Sequence, residues 1–193
     1  MFSPSEFMSK VDNLGSLARK HKFTIQIVEP AALRNASSEY GTQHDSVRGS
    51  VKPSKIEFLA SAASLPGKSY ASTTHRMYGF GLDVPYEASY EPVQLTFMNT
   101  NDYSPRTFFE DWMANIARIK SYNMNYYKDY ISDVMITAYD DENSKRYQCK
   151  LMESYPKSMS SIELGWDGQD VQTFTVDIQY SWWVSDKQSE GTF

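Results

Sequence analysis

A single cysteine, Cys149, stands in a chain of 193 residues. One thiol excludes an internal disulfide, leaves no cysteine partner for a zinc site, and fits folding in a reducing cytosol. Long apolar runs are also missing: no stretch of about 18 apolar residues occurs, which excludes a membrane-spanning helix. The opening MFSPSEFMSK has no basic stretch followed by an apolar one, so no secretory leader is expected and the chain is expected to be made and folded in a cytoplasm. Positive charge is scarce as well. Lys plus Arg number 19 against 24 Asp plus Glu, a formal charge of −5, which argues against gripping nucleic acid by neutralising its phosphates.

What is plentiful is aromatic side chain, with 4 Trp, 14 Tyr and 10 Phe. Tyrosine joins an apolar ring to a polar tip and suits half-buried sheet faces and subunit contacts. The length favours one domain, which can bury roughly 70% of its unfolded surface unaided.

The apolar periodicity reads mainly as strands. Phe7, Val11, Leu14 and Leu17 are spaced for a short helix over 7–20 with Ser5 as its cap. Phe23, Ile25 and Ile27 alternate as a first strand. Over 30–54 the pattern disappears, and a stretch of about 25 residues without periodicity is long for a connection, so mobility or contact with another molecule is expected there. A strand is expected over 55–63, ending at Leu65-Pro66-Gly67, then a polar, Thr-rich strand over 69–77 whose side chains do not suit an apolar core. Tyr78-Gly79-Phe80-Gly81 and Val84-Pro85-Tyr86 read as bends, and Val93, Leu95 and Phe97 as another strand.

The clearest helix follows. Ser104 is read as its N-cap and Pro105 as N1, and Phe108, Phe109, Trp112, Met113, Ile116 and Ile119 recur at three- and four-residue spacings, predicting one broad buried face. After an aromatic connection over 122–130, Val134, Ile136 and Ala138 form a strand into the turn 140–143, and Tyr147, Cys149 and Leu151 return as its hairpin partner, ending near Tyr155-Pro156. Phe174, Val176, Ile178, Tyr180 and Trp182 on one face predict a last strand over 170–184, close to 50 Å if straight and so expected to curl or to extend past its own domain. The expectation is a mainly β protein with one flanking amphipathic helix, an antiparallel β-sandwich or small β-barrel. Its parts are an N-terminal segment 1–22, a β domain 23–185 that includes the loop 30–54, and a polar tail 186–193.

Chemistry is thin. His21, His44 and His75 lack a second ligand at metal spacing, so they read as exposed histidines. No G-x-S-x-G elbow supports a catalytic serine. Gly79-Phe80-Gly81 has Val84 where a dinucleotide fingerprint needs glycine. Asp140, Asp141 and Glu142, and Asp167 with Asp170, read as turns rather than calcium ligands. Cys149 reads as a buried inert thiol and the Trp112 face as core. No catalytic, cofactor-binding or metal residues are expected, and no cofactor.

Four stretches, in order, carry a family likeness: Phe58-Leu59-Ala60-Ser61-Ala62-Ala63-Ser64-Leu65-Pro66-Gly67; a strand from Tyr86 to Phe97; Phe108-Phe109-Glu110-Asp111-Trp112; and Ile162-Glu163-Leu164-Gly165-Trp166-Asp167 followed by Gln172-Thr173-Phe174-Thr175-Val176. On these the chain resembles the tail tube proteins of contractile-tailed bacteriophages, the myovirus group, which share a fold with the tube proteins of type VI secretion and pyocin-like systems. The resemblance implies a structural virion protein, a homohexamer whose rings stack into the inner tail tube and through which genomic DNA passes into the host. It implies as partners a surrounding sheath protein, a baseplate tube initiator, a tape measure protein inside, and double-stranded DNA that transits without specific binding. It implies no stable membrane association, assembly in the host cytoplasm and a place in the virion tail. Within that frame Ser69, Thr73, Thr74, Thr173, Thr175, Asp177 and Gln179 are the expected lumen-facing residues. Arg34, Tyr40, His44 and Arg48 of the irregular loop are the expected ring-to-ring contacts. Two alternatives stay open: a baseplate tube initiator of the same fold, and a small β-rich phage hydrolase.

Overall fold

The computed structural model describes residues 3–4, 6, 8–9, 18, 20–31, 33, 56–117, 123–166 and 170–187. Most of the expected helix over 7–20, almost all of the loop 30–54 and the end of the tail lie outside them. The described elements run β1 (Phe23–Ile27), a 3-10 turn (Glu57–Leu59), β2 (Ala60–Ala63), β3 (Ser69–His75), β4 (Leu82–Ser89), β5 (Val93–Met98), α1 (Ser104–Ile116), α2 (Tyr127–Tyr130), β6 (Ser132–Tyr139), β7 (Lys145–Met159), β8 (Thr173–Gln179) and β9 (Trp182–Ser185).

All strand pairs are antiparallel, and β7 organises them. Its first part pairs with β6 and with β9, making sheet A in the order β1-β6-β7-β9. Its last part, Tyr155 to Met159, pairs with β8, making sheet B in the order β7-β8-β5-β2. The two sheets face each other across one core as a sandwich and do not close into a barrel. The core side carries Ile25, Ile27, Val134, Ile136, Cys149 and Leu151 from sheet A and Val93, Leu95, Phe97, Phe174, Val176 and Ile178 from sheet B. This is the alternation expected of strands with one buried face.

Helix α1 packs on that core through Phe108, Phe109 and Trp112. The Phe109 ring lies 5.1 Å from Phe97 and 6.1 Å from Phe174, and stacks on Trp112 at 6.3 Å. The Trp112 Nε1–H donates to the Tyr130 carbonyl at 2.7 Å, so the buried indole keeps its hydrogen bond.

Several expectations are corrected. Residues 57–59 form a 3-10 turn, so the strand begins only at Ala60. Val84-Pro85-Tyr86 is no bend: it lies inside β4, where a register shift leaves Tyr86 without a ladder partner. Ser104 is the first helical residue rather than the cap; its N–H is 3.4 Å from Asp102 Oδ1, and the Thr100 hydroxyl holds the Asp102 carboxyl below its ordinary range. The aromatic connection contains a short helix, α2.

The long last strand is two strands, β8 and β9, broken at Tyr180-Ser181. From Cys149 to Pro156 they stay in one register along β7, which shifts only between Pro156 and Ser158, and the break lies opposite Glu153, which has a left-handed φ of 52°. There both chains change the phase of their buried face. Leu151 gives way to Ser154 and Pro156, and Tyr180 to Trp183 and Ser185, because each strand passes from one sheet to the other and the core moves to its other side. Trp182 therefore points away from the core, 41% exposed. The overlong strand is β7 itself, 15 residues running through Pro156 where an end was expected.

Candidate functional site

The molecule offers surfaces rather than a catalytic cleft. The outer face of sheet B is lined by Gln94, Thr96 and Met98 of β5, Thr173, Thr175, Asp177 and Gln179 of β8, Tyr155 and Ser158 of β7, and Ala62 of β2, placed by their ladder partners. Hydroxyls tie the strands together across this face: Thr96 Oγ1 and Thr175 Oγ1 are 3.1 Å apart, and the Ser158 hydroxyl donates to Asp177 Oδ2 at 2.5 Å. The other carboxylate oxygen of Asp177 is out of contact with solvent and has no hydrogen-bond partner within the chain. Among residues whose ladder partners fix their face, Asp177 is the only charged one. The surface is mainly polar and carries few charges.

Sheet B also ends in two free edges. No described strand pairs with the outer side of β2 or with the second side of Pro156 to Met159. Unpaired edges are templates for another strand.

The second surface is the hairpin β3–β4. Every residue of its strands is exposed except Ala71, so it stands clear of the sandwich. Ser69 lies at its base, where its hydroxyl reaches the Ser89 carbonyl at 3.4 Å, and Thr73 lies opposite Val84. The Thr74 hydroxyl donates to Asp83 Oδ1 at 2.5 Å. The tip, Arg76 to Gly81, turns at Gly79 with φ of 81°, a conformation that favours glycine, and the Arg76 Nε–H donates to the Gly79 carbonyl at 2.9 Å. Beyond it Met77, Tyr78 and Phe80 are 82%, 99% and 102% exposed. Soluble monomers seldom display such a cluster without using it.

The third surface is an open groove of about 400 Å³ between α1 and the 160–166 segment, lined by Tyr103, Arg106, Glu110, Ile162 and Leu164 among others. Arg106 and Glu110 pair within it at 2.8 Å.

The structure thus splits the expected lumen set. Thr173, Thr175, Asp177 and Gln179 come together on sheet B, whereas Ser69, Thr73 and Thr74 stand apart on the hairpin. Arg34, Tyr40, His44 and Arg48 lie outside the described residues. Sequence reasoning missed β4 as the partner of β3, and with it the aromatic tip; Gly79-Phe80-Gly81 between two short strands was the available hairpin signal. Cys149 is buried, and that burial pushes its thiol up to about 11, far from a nucleophile's range. Among the described residues no group of three or more His, Cys, Asp and Glu could hold a metal ion, and no helix is long and apolar enough to cross a membrane.

Comparison with solved structures finds the same fold at low sequence identity. One similar chain, from the PVC sheath–tube complex of an extracellular contractile injection system in its extended state, is 12% identical with a TM-score of 0.60, covering 96% of this chain and 98% of that one. Another, from the six-fold symmetrised baseplate of the anti-feeding prophage, is 13% identical with a TM-score of 0.57, covering 89% and 96%. No curated protein sequence matches. A family profile described as phage tail tube protein matches residues 18–186. That span takes in both sheets, the hairpin and the helix, and on that breadth the chain belongs to the phage tail tube protein family.

Proposed function

We propose that this chain builds the inner tail tube of a contractile-tailed phage from stacked hexameric rings, and that genomic DNA passes through the tube into the host. The observation that carries this is sheet B: a polar outer face bounded by free strand edges on both sides. Pairing β2 of one copy with the free side of Pro156 to Met159 of the next continues sheet B around a ring and leaves neither of its edges exposed. Thr173, Thr175, Asp177 and Gln179 then face the lumen, where none of the four offers DNA phosphates a positive charge to pair with. Repulsion from Asp177 acts only over about 8 Å at physiological salt. The outside of the tube meets a sheath, a tape measure protein occupies the lumen before DNA does, and the tube grows from a baseplate initiator; the part is played in the virion after assembly in the host cytoplasm. The role is structural and involves no catalysis.

The fold likeness to a chain of a baseplate complex favours one second reading, a tube initiator that forms a single ring. Negative-stain electron microscopy of the purified chain separates them. Long hollow tubes with six-fold end views are expected; single rings at every concentration favour the initiator, and monomers alone overturn both.

A further inference from the structure

β7 changes sheet at Glu153. Cys149 to Met152 pair with β9 in sheet A, and Tyr155 to Met159 pair with β8 in sheet B. Between them Glu153 holds a φ of 52°, in the left-handed region that any residue with a Cβ disfavours. Such a conformation persists only where its surroundings over-determine it. The short helix α2 supplies those surroundings. The Tyr127 hydroxyl donates to Glu153 Oε2 at 3.1 Å and lies 3.1 Å from the Ser181 hydroxyl at the β8–β9 break, so one side chain ties both chains of the kink. Three residues on, the Tyr130 ring meets Tyr127 edge-on at 5.6 Å and Tyr155 edge-on at 5.8 Å. Tyr155 is the last residue before the free edge, Pro156 to Met159. Behind α2 the Tyr130 carbonyl accepts from the buried Trp112, which anchors the helix to the core.

We infer that α2 is a positioning clamp for assembly: Tyr127 holds the β7 kink and thereby keeps the edge Pro156 to Met159 laid on β8, where the next copy pairs. This rests on the tube reading above and names the residue that prepares its ring-closing edge. The edge needs such support. Within it Pro156, Ser158 and Met159 have ladder partners on β8, a register shift interrupts them after Pro156, and Pro156 has no N–H to give. No described strand holds it from the other side. Glu153 stands three residues before Pro156, about 10 Å of strand, so a change of φ at Glu153 passes directly into the direction of the edge. A subunit whose edge is in place only part of the time pairs with an affinity reduced by that fraction.

Hydrogen exchange and tube formation test this together. Tyr127→Phe removes both hydroxyl contacts and keeps the ring against Tyr130. In unassembled subunits it should speed exchange of the amides over 157–160 about tenfold while those of β5 stay as in the parent, and it should raise the concentration needed for tubes about tenfold. Adding Glu153→Gly should recover most of both effects, since glycine takes the left-handed φ without a clamp. Ile25→Val trims the sheet A core and lowers the unfolding midpoint, yet should leave the concentration for tubes unchanged. Exchange over 157–160 at the parent's rate in Tyr127→Phe overturns the inference and leaves the tube reading standing. An equal rise in tube concentration with Ile25→Val also overturns it, because general stability would then be the cause, and failure of Glu153→Gly to recover either effect counts against the kink as its route. Absence of tubes from the unaltered chain overturns the tube reading, and the exchange rates still decide whether Tyr127 holds the edge.

Discussion

Sheet B and the β3–β4 hairpin are made by the same backbone ladder, yet one is half buried and the other is almost wholly exposed. Along β5 and β8 every second side chain enters the core, from Val93 to Phe97 and from Phe174 to Ile178. Along β3 and β4 no side chain is buried, and large apolar residues such as Tyr70, Leu82, Val84 and Tyr86 face solvent. A two-stranded hairpin without a buried face is marginal on its own in water. At its base Lys68 Nζ sits 4.9 Å from the centre of the Tyr70 ring and 5.9 Å from that of Tyr90, a modest anchor. The body buries its apolar residues in its own fold, while the hairpin leaves them facing solvent.

The largest expected difference between the two regions is in stability. Trp112→Ala removes the ring stacked on Phe109, its edge contact with Phe108 and the hydrogen bond to Tyr130. A loss of about 3–5 kcal/mol is expected, read by urea unfolding of unassembled subunits. Tyr78→Ser with Phe80→Ser should stay within about 0.5 kcal/mol of the parent in the same measurement, while abolishing tubes. Equal losses from the two would show that the hairpin is part of the folding unit and would break the comparison.

Hydrogen exchange sharpens it without a substitution. In the unassembled chain, backbone amides of β3 and β4 should exchange far faster than those of β5 and β8, because local opening of the hairpin exposes no core. In tubes the hairpin amides should become protected. Protection in the free subunit already at the level of β5 would contradict the marginal hairpin.

A smaller effect comes from backbone strain at the tip. A Cβ added at Gly79 meets nothing within 4 Å, so Gly79→Ala is penalised only through its φ of 81°, at about 1–2 kcal/mol. That penalty should fall on tube formation and leave the unfolding midpoint of the subunit in place, since the tip opens independently of the core. A midpoint shift of that full size would again join the hairpin to the body.

Which parts of this were legible in the sequence follows from the same division. Where a strand or helix buries one face, the period shows: Phe108, Phe109 and Trp112 on α1, and Phe174, Val176 and Ile178 on β8, are buried as their spacing predicts, because burial selects that spacing. Val84-Pro85-Tyr86 reads as a bend because the residues of β4 answer to no core, and Pro85 disguises the strand. Proline is tolerated there because the two-stranded ladder is edge on both sides. Pro156 misled for a related reason: it sits in a stretch of β7 with one side free, so a missing N–H is no fatal loss. The pattern puts Trp182 on the wrong face because the kink opposite Glu153 shifts the period by one residue, and the distant partner strand that sets it cannot be seen in a local pattern. The polar face of sheet B was legible as alternation, but its free edges were not, since pairing is a property of the whole sheet.

The smallest expected effect sets the tight turn of the body, between β6 and β7, against the tip of the hairpin. The hairpin tip is held by one neutral acceptor, the Gly79 carbonyl, whereas the body turn is held by charge. Asp140 accepts the Asp141 N–H at 2.7 Å and Arg146 at 2.8 Å, and Lys22 Nζ donates to the Asp141 carbonyl at 2.5 Å. The Asp141 amide first, and then the Arg146 guanidinium, hold the Asp140 carboxyl below the usual carboxylate range. A carboxyl with a depressed folded pKa stabilises the fold above its unfolded value, near 3.9 for aspartate, and that contribution fades as pH falls through the lower folded value. Asp140→Asn should therefore lower the thermal midpoint at pH 7 and converge with the parent near pH 2, most clearly at low salt because the pair is exposed. A difference that persists unchanged at acid pH would mean that the turn depends on the shape of the side chain, as the hairpin tip does, and not on its charge.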